Sequence, residues 1–194
     1  LTLLCAIYVF LSISSPEFSF IITVVLIPVL PLLPHSSIIL ASLIAISSLS
    51  FIGKVLIGKR SFHLEQYDVI LFFFAMFILV SGIFNKGFES FTSSVLYGAL
   101  LLGYPLASNL VTNRRIAENV TNALLVCSVP VAIFGIIVYF LAPAQPEWID
   151  PSFAPSITSR AYSTFANPNV YAVLLIVTSV FSLVYAYYAT IGKN

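Results

Sequence analysis

The chain has 194 residues, of which 60% are hydrophobic and only 8% charged, and its mean hydropathy is +1.07. Soluble globular domains carry about a quarter charged residues, so the composition excludes that class and points to an integral membrane protein. A net charge of +1 offers no footprint for nucleic acid, and the 8 basic residues matter through their positions instead. The two cysteines, Cys5 and Cys127, fall inside apolar runs and read as small buried hydrophobes rather than as a disulfide or a metal site. Residue 1 is Leu, the single methionine is Met76, and the chain stops straight after an apolar run, so a fragment of a larger membrane protein is expected.

In chain order, the first apolar runs are residues 1–14 and 18–34, separated by Ser15-Pro16-Glu17. They are read as two spans, the first incomplete, and Pro28, Pro31 and Pro34 make the second irregular. Five further runs, residues 37–57, 67–84, 90–111, 120–142 and 168–189, are long enough, or nearly so, to cross a bilayer as helices. Pro105 and Pro130 predict kinks within two of them. The expected fold is all-α: a polytopic transmembrane helical bundle of six or seven spans, residues 1–194 forming one transmembrane domain, with one external loop at residues 143–167 before the last span.

Orientation follows from the basic residues. Lys54, Lys59 and Arg60 crowd one connection, Arg114 and Arg115 another, and Lys193 follows the last span, which predicts that these three ends share the cytoplasmic side. Alternation then places Lys86 and the 143–167 loop outside. That loop is proline-rich, which disfavours helix, and carries Glu147, Trp148 and Asp150.

The loop ends in Arg160-Ala-Tyr-Ser-Thr-Phe-Ala-Asn-Pro-Asn169, a dense polar run with one arginine just before an apolar span. Asn167 is a good helix N-cap and Pro168 suits the first turn, so free N–H groups and the positive end of a helix dipole should face the loop. A helix N-terminus beside an arginine suits a phosphate. Taken singly, the same residues read as an arginine snorkelling to headgroups and two asparagines capping a helix.

Glu147 and Asp150 form a plausible acid/base or metal pair, but two carboxylates without a histidine read more simply as solvated loop charges. Trp148, Phe153, Tyr162 and Phe165 could stack on sugar rings, and equally belong to an interfacial aromatic belt. His35 and His63 have no ligand spacing and are assigned no catalytic role. Glu17, Glu65 with Asp68, and Glu118 read as interfacial charges at span ends.

The run Arg160-Ala-Tyr-Ser-Thr-Phe-Ala-Asn-Pro-Asn-Val-Tyr-Ala172 resembles the O-antigen ligase and polymerase superfamily, whose members carry an Arg, a Ser/Gly-Thr-Phe and an Asn-Pro-Asn opening a helix. Trp148-Ile-Asp150 and the Tyr67-Asp68 start of a span are similar too, while Ser163 and Ala166 stand where glycines are common. The resemblance implies a bacterial inner-membrane glycosyltransferase that moves a glycan from an undecaprenyl pyrophosphate donor to an acceptor at the external face. It implies a donor-pyrophosphate site at Arg160, Asn167 and Asn169, with sugar contacts from Trp148 and Tyr162. It also implies metal-independent chemistry, and no cofactor is expected. The remaining catalytic machinery would then lie in later spans, which makes the chain an N-terminal half that is inactive alone. The competing reading, a transporter or flippase, calls for paired interrupted helices and ionisable residues at mid-membrane. A non-catalytic scaffold would leave the polar run before Pro168 without a purpose.

Overall fold

A computed structural model describes residues 2–85, 87–141, 161, 163–165 and 167–191. All regular structure among these residues is helical: α1 (Thr2–Ser14), α2 (Pro16–Leu26), α3 (Ser36–Leu56), α4 (Gln66–Phe84), α5 (Phe88–Leu101), α6 (Gly103–Leu110), α7 (Arg114–Leu141) and α8 (Pro168–Ile191), with 3-10 turns at Leu30–Leu32 and Ser163–Phe165. Four helices are long and apolar enough to cross a membrane, namely α3, α4, α7 and the Pro168–Tyr188 part of α8. Their side chains are mostly exposed, Phe73, Phe77, Leu141 and Leu183 among them, as expected of surfaces facing hydrocarbon.

Three expected spans differ in detail. Residues 90–111 form two helices, α5 and α6, broken at Leu102. Pro105 has no N–H to offer the Leu101 carbonyl, so the helix restarts at Gly103, which puts the proline in a first turn where no donor is required. The 18–34 run is helical only to Leu26 before its prolines turn the chain. Conversely α7 begins at Arg114, inside the expected connection, because Asn113 caps it: its Oδ1 accepts the Ile116 N–H at 2.9 Å. Pro130 lies inside α7 without ending it.

The chain folds into two compact units, Leu1–Val24 with His35–Asn119, and Val25–Pro34 with Val120–Asn194. In the first unit α1 and α3 pack directly and run parallel, and α2 returns antiparallel beside them, bringing Thr23 to Tyr8 and Ser19 to Ser47. The Ser50 hydroxyl donates to the Ser12 carbonyl at 2.5 Å, Lys54 Nζ donates to the Ser14 carbonyl at 2.7 Å, and Arg60 pairs with Glu17. Further along, the buried Tyr8 hydroxyl sits 2.7 Å from both Thr23 Oγ1 and Ser47 Oγ and 3.1 Å from the Leu43 carbonyl. With no water in the hydrocarbon, hydroxyls on apolar helices bond across to neighbours, and this cluster ties the three helices together.

The α4–α5 hairpin packs closely along Gly82, where an added Cβ would come within 2.2 Å of Ser94 Oγ. The core proper is Phe51, Leu106 and Leu110, with Phe20 and Val55 against it. One end of this unit gathers charge. Lys54, Lys59 and Arg60 lie there with Glu17, and Asn109 clamps the connection by accepting the His63 N–H at 2.8 Å and donating to the His63 carbonyl at 3.1 Å.

Candidate functional site

In the second unit, backbone carbonyls beside prolines accept the hydrogen bonds that hold the polar run. After α2 the chain turns at Pro28, and the Leu32 N–H bonds the Val29 carbonyl at 3.1 Å instead of the Pro28 carbonyl four residues back. A buried backbone carbonyl without a partner is costly. Thr164 supplies the partner: its hydroxyl, buried, donates to the Pro28 carbonyl at 2.6 Å. Beside it, the Ser163 hydroxyl donates to the Val131 carbonyl at 2.6 Å, one residue past Pro130. Ser163 adopts a left-handed φ of 50°, which is unfavourable for a residue with a Cβ. Two buried hydroxyl bonds therefore hold the Ser163–Phe165 turn in place.

Val131 is ten residues short of the α7 end at Leu141, on the order of 15 Å along the axis. The turn is thus seated well down the flank of a helix rather than among loop residues beyond its end. The α8 start lies at the same level. Tyr171, in its first turn, is buried and donates its hydroxyl to the Ala132 carbonyl at 3.2 Å. Gly135 makes room for that ring, because a Cβ there would fall 2.2 Å from the Tyr171 hydroxyl.

Asn167 caps α8 as expected: its Oδ1 accepts the Asn169 N–H at 2.9 Å, and its carbonyl accepts the Tyr171 N–H at 3.1 Å. One consequence departs from expectation. The Asn169 N–H and one lone pair of the Asn167 amide are spent inside the helix, and Pro168 has no N–H, so fewer backbone donors remain for an anion than the sequence promised. The Asn167 amide nitrogen takes no part in the cap, and Asn167 is half-buried while Asn169 is exposed. Such an end can offer neutral amide donors and the dipole of a 24-residue helix to a negative group.

Of the residues singled out in the sequence, Asn167 and Asn169 are therefore brought together at one helix start. Arg160, Trp148 and Tyr162, with Glu147, Asp150 and Phe153, lie outside the described residues. Glu65 and Asp68 prove to be capping groups: Asp68 accepts the Glu65 N–H at 2.8 Å at the start of α4. His35 occupies the N-cap position of α3 in a left-handed conformation, φ 57°. Sequence reading did not single out the anchoring role of Ser163 and Thr164 or the Tyr171–Gly135 fit. The available signal was the proline cluster at residues 28–34, which frees a backbone carbonyl, together with a Ser-Thr pair, and only the tertiary fold matches one to the other.

Comparison of the chain with protein-family models, with curated proteins and with solved structures finds no significant match.

Proposed function

We propose that this chain belongs to a polytopic bacterial inner-membrane glycosyltransferase, with six or seven crossings, that moves a glycan from undecaprenyl pyrophosphate to an acceptor at the external face, as a ligase or a polymerase. The observation that carries this reading is the pinned Ser163–Phe165 turn, which sets the segment after Arg160 against two buried carbonyls and leads directly into the Asn167-capped helix. Such anchoring on both flanking elements is what a positioned anion site needs, since a catalytic guanidinium acts only where its backbone is held.

In this reading the acceptor hydroxyl gives up its proton to a general base that is not among the residues assigned to the site. It attacks the anomeric carbon while the bond from that carbon to the pyrophosphate oxygen breaks, with inversion. Negative charge develops on the leaving pyrophosphate. Arg160 would meet it through two parallel N–H bonds, the amides of Asn167 and Asn169 would donate to further oxygens, and Trp148 and Tyr162 would contact the sugar.

The test is Arg160→Lys in cells, with glycan transfer normalised to protein level. A lysine keeps the charge but loses the bidentate geometry, so transfer should fall roughly a hundredfold, or about 3 kcal/mol, with membrane insertion unchanged. Activity equal to wild type would reduce Arg160 to a headgroup anchor and end the reading.

A transporter or flippase is favoured by one observation, the interruptions that follow α2 and separate α5 from α6. The two readings part in a deletion strain. Loss of a flippase strands lipid-linked glycan on the inner leaflet, whereas loss of a transferase leaves it on the outer leaflet, open to an externally added glycosidase.

A further inference from the structure

In the second unit, α8 begins at a depth where polar groups are expensive. Tyr171 bonds the Ala132 carbonyl and Ser163 bonds that of Val131, so both sit about 14–15 Å along the axis from the α7 end at Leu141. That end stands at the lipid boundary, because residues 120–141 form an apolar stretch long enough for about 30 Å of hydrocarbon, with Tyr139 and Phe140 exposed in its last turn. The length of α8 gives a second measure. Its exposed Tyr185, Tyr187 and Tyr188 mark the opposite boundary, and the rise from Pro168 to Tyr185 is about 26 Å, less than a full crossing. Both measures place the helix start inside the hydrocarbon layer, roughly 5–15 Å below the boundary at Leu141.

Interrupted backbone and polar side chains persist at such depth only where they are buried in protein or line water. The Ser163–Phe165 turn meets the first condition, since the Ser163 and Thr164 hydroxyls are spent on buried carbonyls. The α8 start does not. Asn169 is exposed, and among the described residues no hydrogen bond uses its side-chain amide. A primary amide facing lipid chains without a partner is costly. We infer that α8 begins in a water-filled recess within the outer half of the bilayer, open to the face on which α7 ends, that admits polar groups below the lipid headgroups. Asn169 lines the recess. Ile133 lies at the same depth on the opposite side of α7 from its buried stripe Val131, Gly135 and Val138, and faces hydrocarbon. The inference rests on depth and exposure and not on the glycan-transfer reading. Where both hold, the donor pyrophosphate leaves the headgroup plane and descends into the recess.

The experiment is thiol labelling in intact cells, on the full chain with Cys5 and Cys127 replaced by alanine, using a small cationic methanethiosulfonate that does not cross membranes. Asn169→Cys keeps the helix cap, because the bond to Asn167 uses the backbone N–H of residue 169. Ile133→Cys is the control on the lipid side. Asn169→Cys should react from outside at least about tenfold faster than Ile133→Cys, since a thiol in hydrocarbon stays un-ionised and each pKa unit of that effect is a tenfold loss of thiolate. Equal rates at the two positions would overturn the inference, because this level of α7 would then share one environment on both sides. So would an unreactive Asn169→Cys whose thiol is counted in full after denaturation. Reaction of Asn169→Cys only after permeabilisation would overturn it too, by opening the recess to the other face.

Discussion

Tyr171 and Gly135 illustrate how one residue dictates another. The tyrosine hydroxyl and the two ring carbons nearest it would all lie within 2.8 Å of a Cβ at position 135, so the aromatic ring, not a flexible tip, occupies the space. A Gly135→Ala variant must push that ring aside and weaken its bond to the Ala132 carbonyl, a cost of roughly 1–3 kcal/mol typical of overpacking. The same substitution in a Tyr171→Ala background should cost far less, and a double-mutant cycle followed by thermal unfolding in detergent measures the difference. Additive effects would show that the two residues do not share the space. The Asn167 cap, by contrast, was legible beforehand, because an N-cap bond reaches only two residues along the chain. The Tyr8 cluster was not, since its hydroxyl partners lie 15 and 39 residues away.

Among the elements, prolines do more than bend helices. Pro105 moves a helix start, and the turn at Pro28 releases a carbonyl that becomes the anchor of a distant segment. If that anchor holds the Ser163–Phe165 turn, Thr164→Val, which keeps the shape but removes the donor, leaves the buried Pro28 carbonyl without this partner. A loss of about 1–3 kcal/mol is expected. Thr164→Ser retains the hydroxyl and should stay within about 1 kcal/mol of the parent. Unfolding midpoints of the two variants in mixed micelles check this, and loss in Thr164→Ser with none in Thr164→Val would mean that the methyl group, not the hydrogen bond, secures the turn. The irregularity of the 18–34 run was readable from its three prolines. The residue that would use the freed carbonyl was not, because the partners are 136 positions apart.

At the scale of the whole molecule, charge placement sets the expected orientation. In the first unit Lys54 and Arg60 reach the α1–α2 turn through Ser14 and Glu17, so the basic connection and that turn share one end. By the bias of positive charge toward the cytoplasm, that end is predicted to face inward. A Ser61→Cys variant should therefore be protected from a membrane-impermeant maleimide in intact cells and react only after permeabilisation, while Ser152→Cys in the long proline-rich loop should label from outside. The reverse pattern would invert the orientation, and with it the external face proposed for glycan transfer.

Membrane character, helical class and the approximate places of the long helices follow from the sequence alone, because hydrocarbon forces every backbone group to be satisfied within its own segment and a long apolar run has few alternatives to helix. The capped start of α8 was determined in the same local way. Only the tertiary structure decided where the α5–α6 break falls, that the Asn169 N–H is already taken, that Ser163 and Thr164 seat their turn on carbonyls of two other segments, and that Asp68 is walled in by apolar side chains. The physical reason is common to all of these. A proline or a buried hydroxyl announces an unmet hydrogen bond, but its partner is set by packing between segments far apart in the chain, and neither hydropathy nor spacing carries that pairing.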